Sequence, residues 1–220
     1  EAHSNPGNVL IDLAQFEEAE IMTRKAIRIK PDFSEALSNL GNILSRIGKL
    51  KEAEIATCKS IDINPNSSQN HFNLGVILKD LGKLKEAEIS TRKAILLNHD
   101  YAQAHMNLGS ILNELGELQE AEISLSKAIK LNPEYESYYL YSSTLFQQNK
   151  LQSALENLKT AQSLAKKYQL SVVRAAIKIV ALTKDNFIYK NQFQNLNCLP
   201  ESSNDIFKRL ILKRPVEKEL

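Results

Sequence analysis

The central part of this 220-residue chain alternates apolar and polar positions with the period of a helix. Apolar residues recur at three- and four-residue spacing, as in Leu37, Leu40 and Leu44, which indicates amphipathic helices rather than strands. The whole pattern then repeats, because the octapeptide Gly-Lys-Leu-Lys-Glu-Ala-Glu-Ile at residues 48–55 returns unchanged at residues 82–89, 34 positions later. A fixed period of this length is typical of proteins built from stacked repeats.

Each 34-residue repeat predicts a helix A, a tight turn and a helix B. Helix A is predicted at residues 34–47, 68–81 and 102–115, and helix B at residues 50–63, 84–97 and 118–131. The turn between them holds a glycine, which adopts the left-handed conformation without strain, at Gly48, Gly82 and Gly116. Small residues at positions 8 and 20 of the repeat let the two helices approach closely, and a proline at position 32 is predicted to end helix B.

The pattern becomes irregular at both ends of the array. Pro6 stands inside the first helix A, so we expect the helix to begin there and residues 1–5 to fray. Near the other end the register shifts by one residue and Asn149 replaces the turn glycine, but asparagine tolerates the left-handed conformation and should keep the turn. The predicted boundaries are a partial repeat at 1–33, full repeats at 34–67, 68–101 and 102–135, and a divergent repeat at 136–167.

Residues 168–220 no longer follow the repeat period. Residues 169–183 are apolar on one side and basic on the other, which predicts a helix that caps the exposed edge of the last repeat. Residues 185–202 are predicted to be a connector. A further amphipathic helix is predicted at 206–212, after capping residues at 203–205.

These features resemble the tetratricopeptide repeat family, whose 34-residue unit has small residues at positions 8, 20 and 27 and proline at position 32. Position 27 here holds Ala26, Ser60, Ala94 and Ala128. The resemblance covers residues 1–167 and implies an all-α fold, a right-handed α-solenoid of stacked antiparallel helix pairs with C-terminal capping helices. The array is similar to bacterial-type arrays and to the repeat arm of O-linked N-acetylglucosamine transferase.

In this family helix A lines a concave groove, and positions 2, 5, 6, 9, 12 and 13 of each repeat point into it. The resemblance therefore implies a peptide-binding groove lined by Asn39, Asn42, Arg46, Phe72, Asn73, Val76, Lys79, Met106, Asn107, Ser110 and Asn113.

Asparagine occupies position 6 of all three full repeats, as Asn39, Asn73 and Asn107. A carboxamide both donates and accepts, so a row of them is able to bond the backbone of a bound peptide, and the arrangement is similar to the asparagine ladder of the transferase arm. The alternative is a consensus residue that bonds neighbouring helices or water. For Phe72 and Met106 the two interpretations are an apolar contact with the ligand and packing against the adjacent repeat.

The remaining residues give little indication of a metal-binding or catalytic site. His71 and His105 stand one repeat apart, about 20 Å by two helix-packing distances, which is too far for one zinc ion, so both are expected to pack. Four tyrosines between residues 135 and 141 are expected to fill the irregular joint rather than to form a binding patch. No phosphate loop, nucleophile elbow or paired catalytic carboxylates appear, so we expect neither an enzyme nor a cofactor.

The distribution of charge limits the classes of expected partner, and the cysteine content indicates the compartment. Residues 136–220 hold 13 Lys/Arg and 7 Asp/Glu, a net charge of +6, while residues 1–135 hold 15 and 19, a net charge of −4. Neither half concentrates a basic stripe for nucleic acid, and no apolar run approaches the roughly 20 residues that cross a bilayer, so no membrane partner is expected. Cys58 and Cys198 match no paired spacing, which favours a reducing compartment, and we expect the cytoplasm.

The sequence therefore predicts a non-catalytic scaffold that binds an extended peptide or partner segment in its groove. Two alternatives stay open. The chain opens on Glu1 in mid-pattern and closes without a natural stop signal, so it is also interpreted as the substrate-recruiting arm of a larger enzyme, a glycosyltransferase or methyltransferase. The other alternative is self-association, in which terminal repeats join copies into a homo-oligomer.

Overall fold

The computed structural model describes residues 6–165 together with Ala176 and Val180. Within this part of the chain nine α-helices follow one another and no strand occurs. The helices are α1 (Pro6–Ile29), α2 (Ser34–Arg46), α3 (Leu50–Ile63), α4 (Ser68–Asp80), α5 (Leu84–Leu97), α6 (Ala102–Leu115), α7 (Leu118–Leu131), α8 (Tyr135–Gln147) and α9 (Leu151–Leu164). The all-α fold class and the helix A, turn, helix B order of the full repeats are confirmed.

The chain forms two compact units whose boundary falls inside α6, after Ile111. In unit 1 each helix from α1 to α4 packs against the next, and α2 also lies against α4. The core of α2, α3 and α4 contains Leu40, Leu44 and Ile77, all at most 5% exposed. Small residues let these helices approach closely: α2 passes α3 at Gly41, where an added Cβ would stand 2.2 Å from Thr57 Oγ1.

In unit 2, α7 packs on α8 and α8 packs on α9. Tyr135 and Tyr139 are buried in its core, and their ring centroids lie 5.7 Å apart in a stacked arrangement. Burial raises the pKa of the Tyr139 hydroxyl well above its usual range. Tyr138 and Tyr141 pack against the same cluster. The prediction that the tyrosines fill the irregular joint is confirmed.

The predicted capping helix is described at two positions, Ala176 and Val180. Both are helical, one turn apart, and fully buried against the core of α8 and α9. This burial supports the capping role predicted for residues 169–183. The predicted connector at 185–202 and amphipathic helix at 206–212 lie outside the described residues, as do the residues 1–5 that were expected to fray.

The turns between helices A and B contain the left-handed residues that the sequence predicts. Gly48, Gly82 and Gly116 have φ values of 80°, 77° and 82°, and Asn149 has φ 62°. In every case the N–H of the next residue bonds the carbonyl five residues before it, with lengths of 2.8–2.9 Å, as from Lys49 to Leu44. This is the bond that closes a helix around a left-handed residue. The turn is therefore confirmed at Asn149 as well as at the glycines.

Helix B ends without help from proline in one repeat. α3 and α7 end two residues before Pro65 and Pro133, as predicted. However, α5 ends at the equivalent Leu97 although His99 stands in the proline position. Asn98 leaves the helix in extended conformation, and its side-chain oxygen accepts the N–H of Asp100. The local asparagine turn is thus sufficient to stop the helix.

The N-terminal repeat differs from the prediction of a helix pair. α1 begins at Pro6 as expected, but it continues to Ile29 as one helix without a turn. The residue in the turn position is Ala14 instead of glycine. Alanine has the highest helix propensity and is strained in the left-handed conformation, so the helix continues through this position. No helix among the described residues is long and apolar enough to cross a bilayer.

Ion pairs connect helix B of one repeat to the start of helix B in the next. A lysine at the beginning of the later helix bonds a glutamate on the earlier one, with nitrogen–oxygen distances of 2.7–2.9 Å. The three pairs are Lys49–Glu20, Lys83–Glu54 and Lys150–Glu122. Glu20 also accepts a bond of 2.8 Å from Arg24. These pairs were not predicted from the sequence, and each joins two consecutive repeats within one unit.

We expect Glu20→Gln to lower the free energy of unfolding at neutral pH by about 0.2–1 kcal/mol, the usual range for a partly exposed pair. Hydrogen bonds from Lys49 and then Arg24 lower the pKa of the Glu20 carboxyl. Because the folded pKa lies below the unfolded one, this contribution is complete above about pH 5 and is lost as the pH falls through the folded pKa. Urea unfolding followed by circular dichroism should show a difference from the wild-type protein at about pH 7 that shrinks at acid pH, as the Glu20 carboxyl becomes protonated.

The control for this experiment is Glu18→Gln on the same helix, since Glu18 is exposed. It should leave the unfolding curve unchanged at both pH values. A loss of stability in Glu20→Gln that does not depend on pH would contradict the assignment of its effect to the charged carboxylate.

Candidate functional site

The A helices of unit 1 lie side by side and are linked by side-chain bonds. Asn73 Nδ2 on α4 donates to Ser38 Oγ on α2 over 3.3 Å. Lys79 Nζ on α4 donates to Ser110 Oγ on α6 over 2.7 Å. These two bonds join α2 to α4 and α4 to α6. We use the name helix-A surface for the predicted groove residues on these three helices, which are Asn39, Asn42, Arg46, Phe72, Asn73, Val76, Lys79, Met106, Asn107 and Ser110.

The three asparagines of position 6 have unequal surroundings. Asn39 is exposed, whereas Asn73 and Asn107 are only 5% and 7% exposed. Asn73 bonds Ser38 on the preceding A helix, and Asn107 Nδ2 donates to Thr91 Oγ1 on α5 over 3.1 Å. Two of the three carboxamides thus bond neighbouring helices. This is the alternative to a peptide-binding row of asparagines. Of the three, Asn39 alone has an open carboxamide.

Asn73 and Asn107 bond different partners because position 5 of the preceding repeat holds a different residue in each case. Asn73 finds the hydroxyl of Ser38 on the preceding A helix, but the equivalent neighbour of Asn107 is Phe72, which offers no acceptor. Asn107 bonds Thr91 instead. The equivalent threonine of the preceding repeat, Thr57, has a buried hydroxyl without a hydrogen-bond partner.

Two further groove residues are also buried and bonded. Ser110 is 7% exposed and accepts the bond from Lys79. Asn113 is 4% exposed and lies in unit 2, where it donates to Ser143 Oγ over 3.4 Å. Its carbonyl oxygen accepts from Gln147 Nε2 over 2.8 Å. Asn113 is therefore placed in a hydrogen-bonded group of unit 2.

The helix-A surface carries three apolar side chains, which we call, together with Tyr101, the apolar patch. Phe72, Val76 and Met106 are half-buried. The Phe72 ring lies 5.0 Å from the ring of Tyr101, tilted by 45°. Tyr101 stands in the loop before α6, and its hydroxyl donates to Gln69 Oε1 on α4 over 2.7 Å. This partly exposed aromatic pair supplies both apolar area and a polar edge, as binding surfaces often do.

Sequence reasoning missed Tyr101 because it lies outside helix A, at the last position of its repeat. The sequence does carry one indication of this position, which is an aromatic residue just before helix A. It is aromatic in two full repeats, Phe33 and Tyr101, and serine in the third, Ser67. Only the fold shows that this loop position reaches the neighbouring A helix.

The helix-A surface also carries exposed polar and basic side chains. Asn39, Asn42 and Arg46 on α2 are exposed. The Arg46 guanidinium carbon stands 5.8 Å from the centre of the Phe16 ring, a cation–π contact. Together with Lys79, these side chains offer donors to carbonyl or carboxylate groups of a ligand.

The histidines hold local structure. His71 Nε2 bonds the carbonyl of Pro65 over 3.0 Å, and His105 Nε2 bonds that of His99 over 2.9 Å. Because a carbonyl only accepts, Nε2 carries the proton in both rings. Both rings were predicted to pack, and the contact that the structure shows for each is a hydrogen bond to the loop before its helix. No group of three metal-ligating side chains comes together in the part of the chain that the structure describes.

Three protein-family models, each described as tetratricopeptide repeat, match the chain. One matches residues 102–135, a second 22–55 and 59–89, and a third 1–33 and 135–168. A search of curated proteins returned no match.

Solved structures with the same fold include MamA, at 23% identity and a TM-score of 0.63 over 68% of this chain and 88% of the other. YrrB, described as a TPR protein with an unusual peptide-binding site, has 23% identity and a TM-score of 0.62 over 78% and 88%. TTC0263 of Thermus thermophilus, described as a thermophilic TPR protein, has 24% identity and a TM-score of 0.64 over 79% and 95%. At these identities the likeness concerns the fold. The family matches, the 34-residue helix pairs and the left-handed turns lead to one conclusion: this chain belongs to the tetratricopeptide repeat family.

Proposed function

We propose that this chain is a non-catalytic interaction scaffold that binds an extended segment of a partner protein on the helix-A surface. The observation that carries the proposal is the half-buried patch of Phe72, Val76, Met106 and Tyr101. Side chains that serve only the core are buried, whereas these are left partly open on one surface. The peptide-binding site in the name of YrrB supports the same use of the fold.

The surface divides into contact residues and supporting residues. Phe72 and Met106 receive an apolar side chain of the ligand, since Met adapts its shape readily. Asn39 and Asn42 bond its peptide groups, and Arg46 attracts acidic groups. The buried, bonded residues Asn73, Asn107 and Ser110 hold the helices of unit 1 in place beneath the ligand. Asn113, which belongs to unit 2, is a structural residue there, bonded to Ser143 and Gln147.

We also place the protein in a reducing compartment, the cytoplasm. The support is that Cys58 is a free thiol and that its spacing from Cys198 is not that of a paired motif.

We expect the double variant Phe72→Ala, Met106→Ala to weaken peptide binding by about tenfold or more, which corresponds to ~1.4 kcal/mol. The apolar contact would be lost while the hydrogen bonds between the A helices remain. The measurement uses peptides selected from a phage-displayed random library on the wild-type chain, with dissociation constants from fluorescence anisotropy. Changing all three asparagines instead would confuse binding with stability, because Asn73 and Asn107 are bonded inside the protein.

The matched control is Ile89→Ala, Leu96→Ala on α5, which removes two apolar side chains that are 70% and 63% exposed. It should leave binding unchanged, and circular dichroism melting should show all variants folded. If the selected peptides bind the Phe72, Met106 variant as tightly as the wild-type chain, the helix-A surface is not the binding site.

A further inference from the structure

A concave feature of unit 1 lies between α1, α2 and α3. It is an open cleft of about 440 Å³, a volume within the range of ligand-binding pockets. Its floor contains Leu37, Leu40 and Leu44 of α2 together with Ala56 of α3, all at most 5% exposed. The more open apolar side chains of the lining are Ile27 and Ile55. A floor of this composition offers no hydrogen-bonding side chain, so it favours an apolar group.

The cleft is separate from the helix-A surface. Leu40 and Leu44 are buried on one side of α2, while Asn39, Asn42 and Arg46 are exposed on the other. This division follows from the helical period, since residues two apart point in nearly opposite directions. Occupation of one site therefore leaves the other accessible.

The rim of the cleft is basic. Arg24 and Arg28 of α1 and Lys59 of α3 line it, with Glu52 as the single acidic residue. Glu52 is already bonded to Arg24 Nη2 over 2.7 Å. Arg28 and Lys59 are both exposed. The rim thus presents an excess of positive charge around an apolar floor, which favours a ligand that is apolar and acidic together.

The edge of the cleft also belongs to a pattern that repeats along unit 1. Ile55 lines the cleft and is 58% exposed, with Lys59 one turn later. The same isoleucine–lysine pair occurs one repeat later as Ile89 and Lys93, where the isoleucine is 70% exposed. Singly exposed apolar side chains are ordinary on protein surfaces, so only the adjoining cleft distinguishes Ile55 from Ile89.

We propose that this cleft is a second binding site, which takes a large apolar side chain of a partner-protein segment that has Asp or Glu next to it. The apolar side chain covers Ile27 and Ile55 above the leucine floor, and the acidic residues pair with Arg28 and Lys59. The chain's own tail fits poorly by charge, since residues 206–214 contain two Lys and two Arg against no acidic residue. The proposal stands apart from binding at the helix-A surface and makes the repeat array a scaffold with two sites.

The test is a selection from a phage-displayed library of random short peptides on the full chain. Clones are retained when they bind the wild-type chain and fail to bind the variant Ile55→Asp, Lys59→Glu. Both substituted side chains are exposed, so the variant should fold, and a circular dichroism melt checks this. We expect the retained peptides to combine a large apolar residue with Asp or Glu, and to bind the variant at least tenfold more weakly.

The repeat provides a matched control one period later, Ile89→Asp, Lys93→Glu, which makes the same change outside the cleft. It should leave the affinity of the retained peptides unchanged, as should the helix-A variant Phe72→Ala, Met106→Ala. Their affinity should also fall in about 1 M salt, where the Debye length is ~3 Å.

Three results would overturn the proposal. One is a selection that yields no peptide dependent on Ile55 and Lys59. Another is a set of retained peptides without acidic residues. The third is an equal loss of affinity in the Ile89, Lys93 control, which would indicate a general effect of charge on α3 and α5. The test of the helix-A surface uses different peptides and the variant Phe72→Ala, Met106→Ala. If that variant keeps its affinity, the proposed function fails while the proposal for the cleft is unaffected.

Discussion

Replacing Gly41 with alanine is expected to lower the free energy of unfolding by about 1–3 kcal/mol, the usual cost of an overpacked core. An added Cβ would stand 2.2 Å from Thr57 Oγ1 and 3.4 Å from the Ala53 carbonyl oxygen. Thr57 is fully buried and β-branched, so it has little freedom to move away. Alanine by itself favours a helix over glycine by up to about 1 kcal/mol, so the observed loss is what remains after this gain.

A double-mutant cycle with Thr57→Ala separates the clash from other effects. Thr57→Ala removes Oγ1, so Gly41→Ala should cost much less in that background than in the wild-type protein. Chemical unfolding followed by circular dichroism measures all four proteins. Additive free energies would contradict a direct clash, because residues in contact are expected to couple. Gly75 offers a repetition of the experiment, since its Cβ would lie 2.2 Å from Thr91 Oγ1.

The second large effect is a contrast between two equivalent threonines. We expect Thr91→Val to lower the free energy of unfolding by about 1–3 kcal/mol, the cost of leaving a buried donor unbonded. Thr91 Oγ1 accepts from Asn107 Nδ2, which is buried. Thr57→Val should leave stability unchanged or raise it, because the Thr57 hydroxyl is buried without a partner. Unfolding curves of the two variants make the comparison with the same chemical change in two successive repeats.

Replacing both partners of the Thr91 bond is the control. Thr91→Val combined with Asn107→Leu removes the unbonded donor and should recover part of the stability lost in Thr91→Val alone. Equal losses in Thr57→Val and Thr91→Val would show that the Asn107 bond adds nothing, and would return Asn107 to the candidates for ligand contact.

These two experiments rest on differences between repeats that look alike in sequence. Position 5 is serine in one repeat and phenylalanine in the next, at Ser38 and Phe72. That single change decides which acceptor the following asparagine finds, and leaves Thr57 unsatisfied while Thr91 is bonded. The same change places a half-buried aromatic ring on the proposed binding surface. The position that varies between repeats thus affects both stability and recognition.

The site could be predicted from the sequence only in part. The repeat register predicted that Phe72 and Met106 face outward, because side-chain direction follows helical position, and both are half-buried. It could not tell that Asn73 and Asn107 are buried while Asn39 is exposed, since this depends on which helix covers each asparagine. Tyr101 was missed for the same reason, because only the folded chain brings its loop into contact with α4.

The sequence by itself determined the local structure of the full repeats. Their helices begin and end within about two residues of prediction, the uncertainty usual for helix boundaries, because the apolar period and the left-handed turn residues act over a few neighbouring positions. Even the shifted turn at Asn149 followed from its residue type. Only the tertiary structure decided the lysine–glutamate pairs between repeats, the buried asparagine bonds and the basic cleft beside α1. These depend on residues about 16 to 35 positions apart, whose contacts are set by how closely the helices pack.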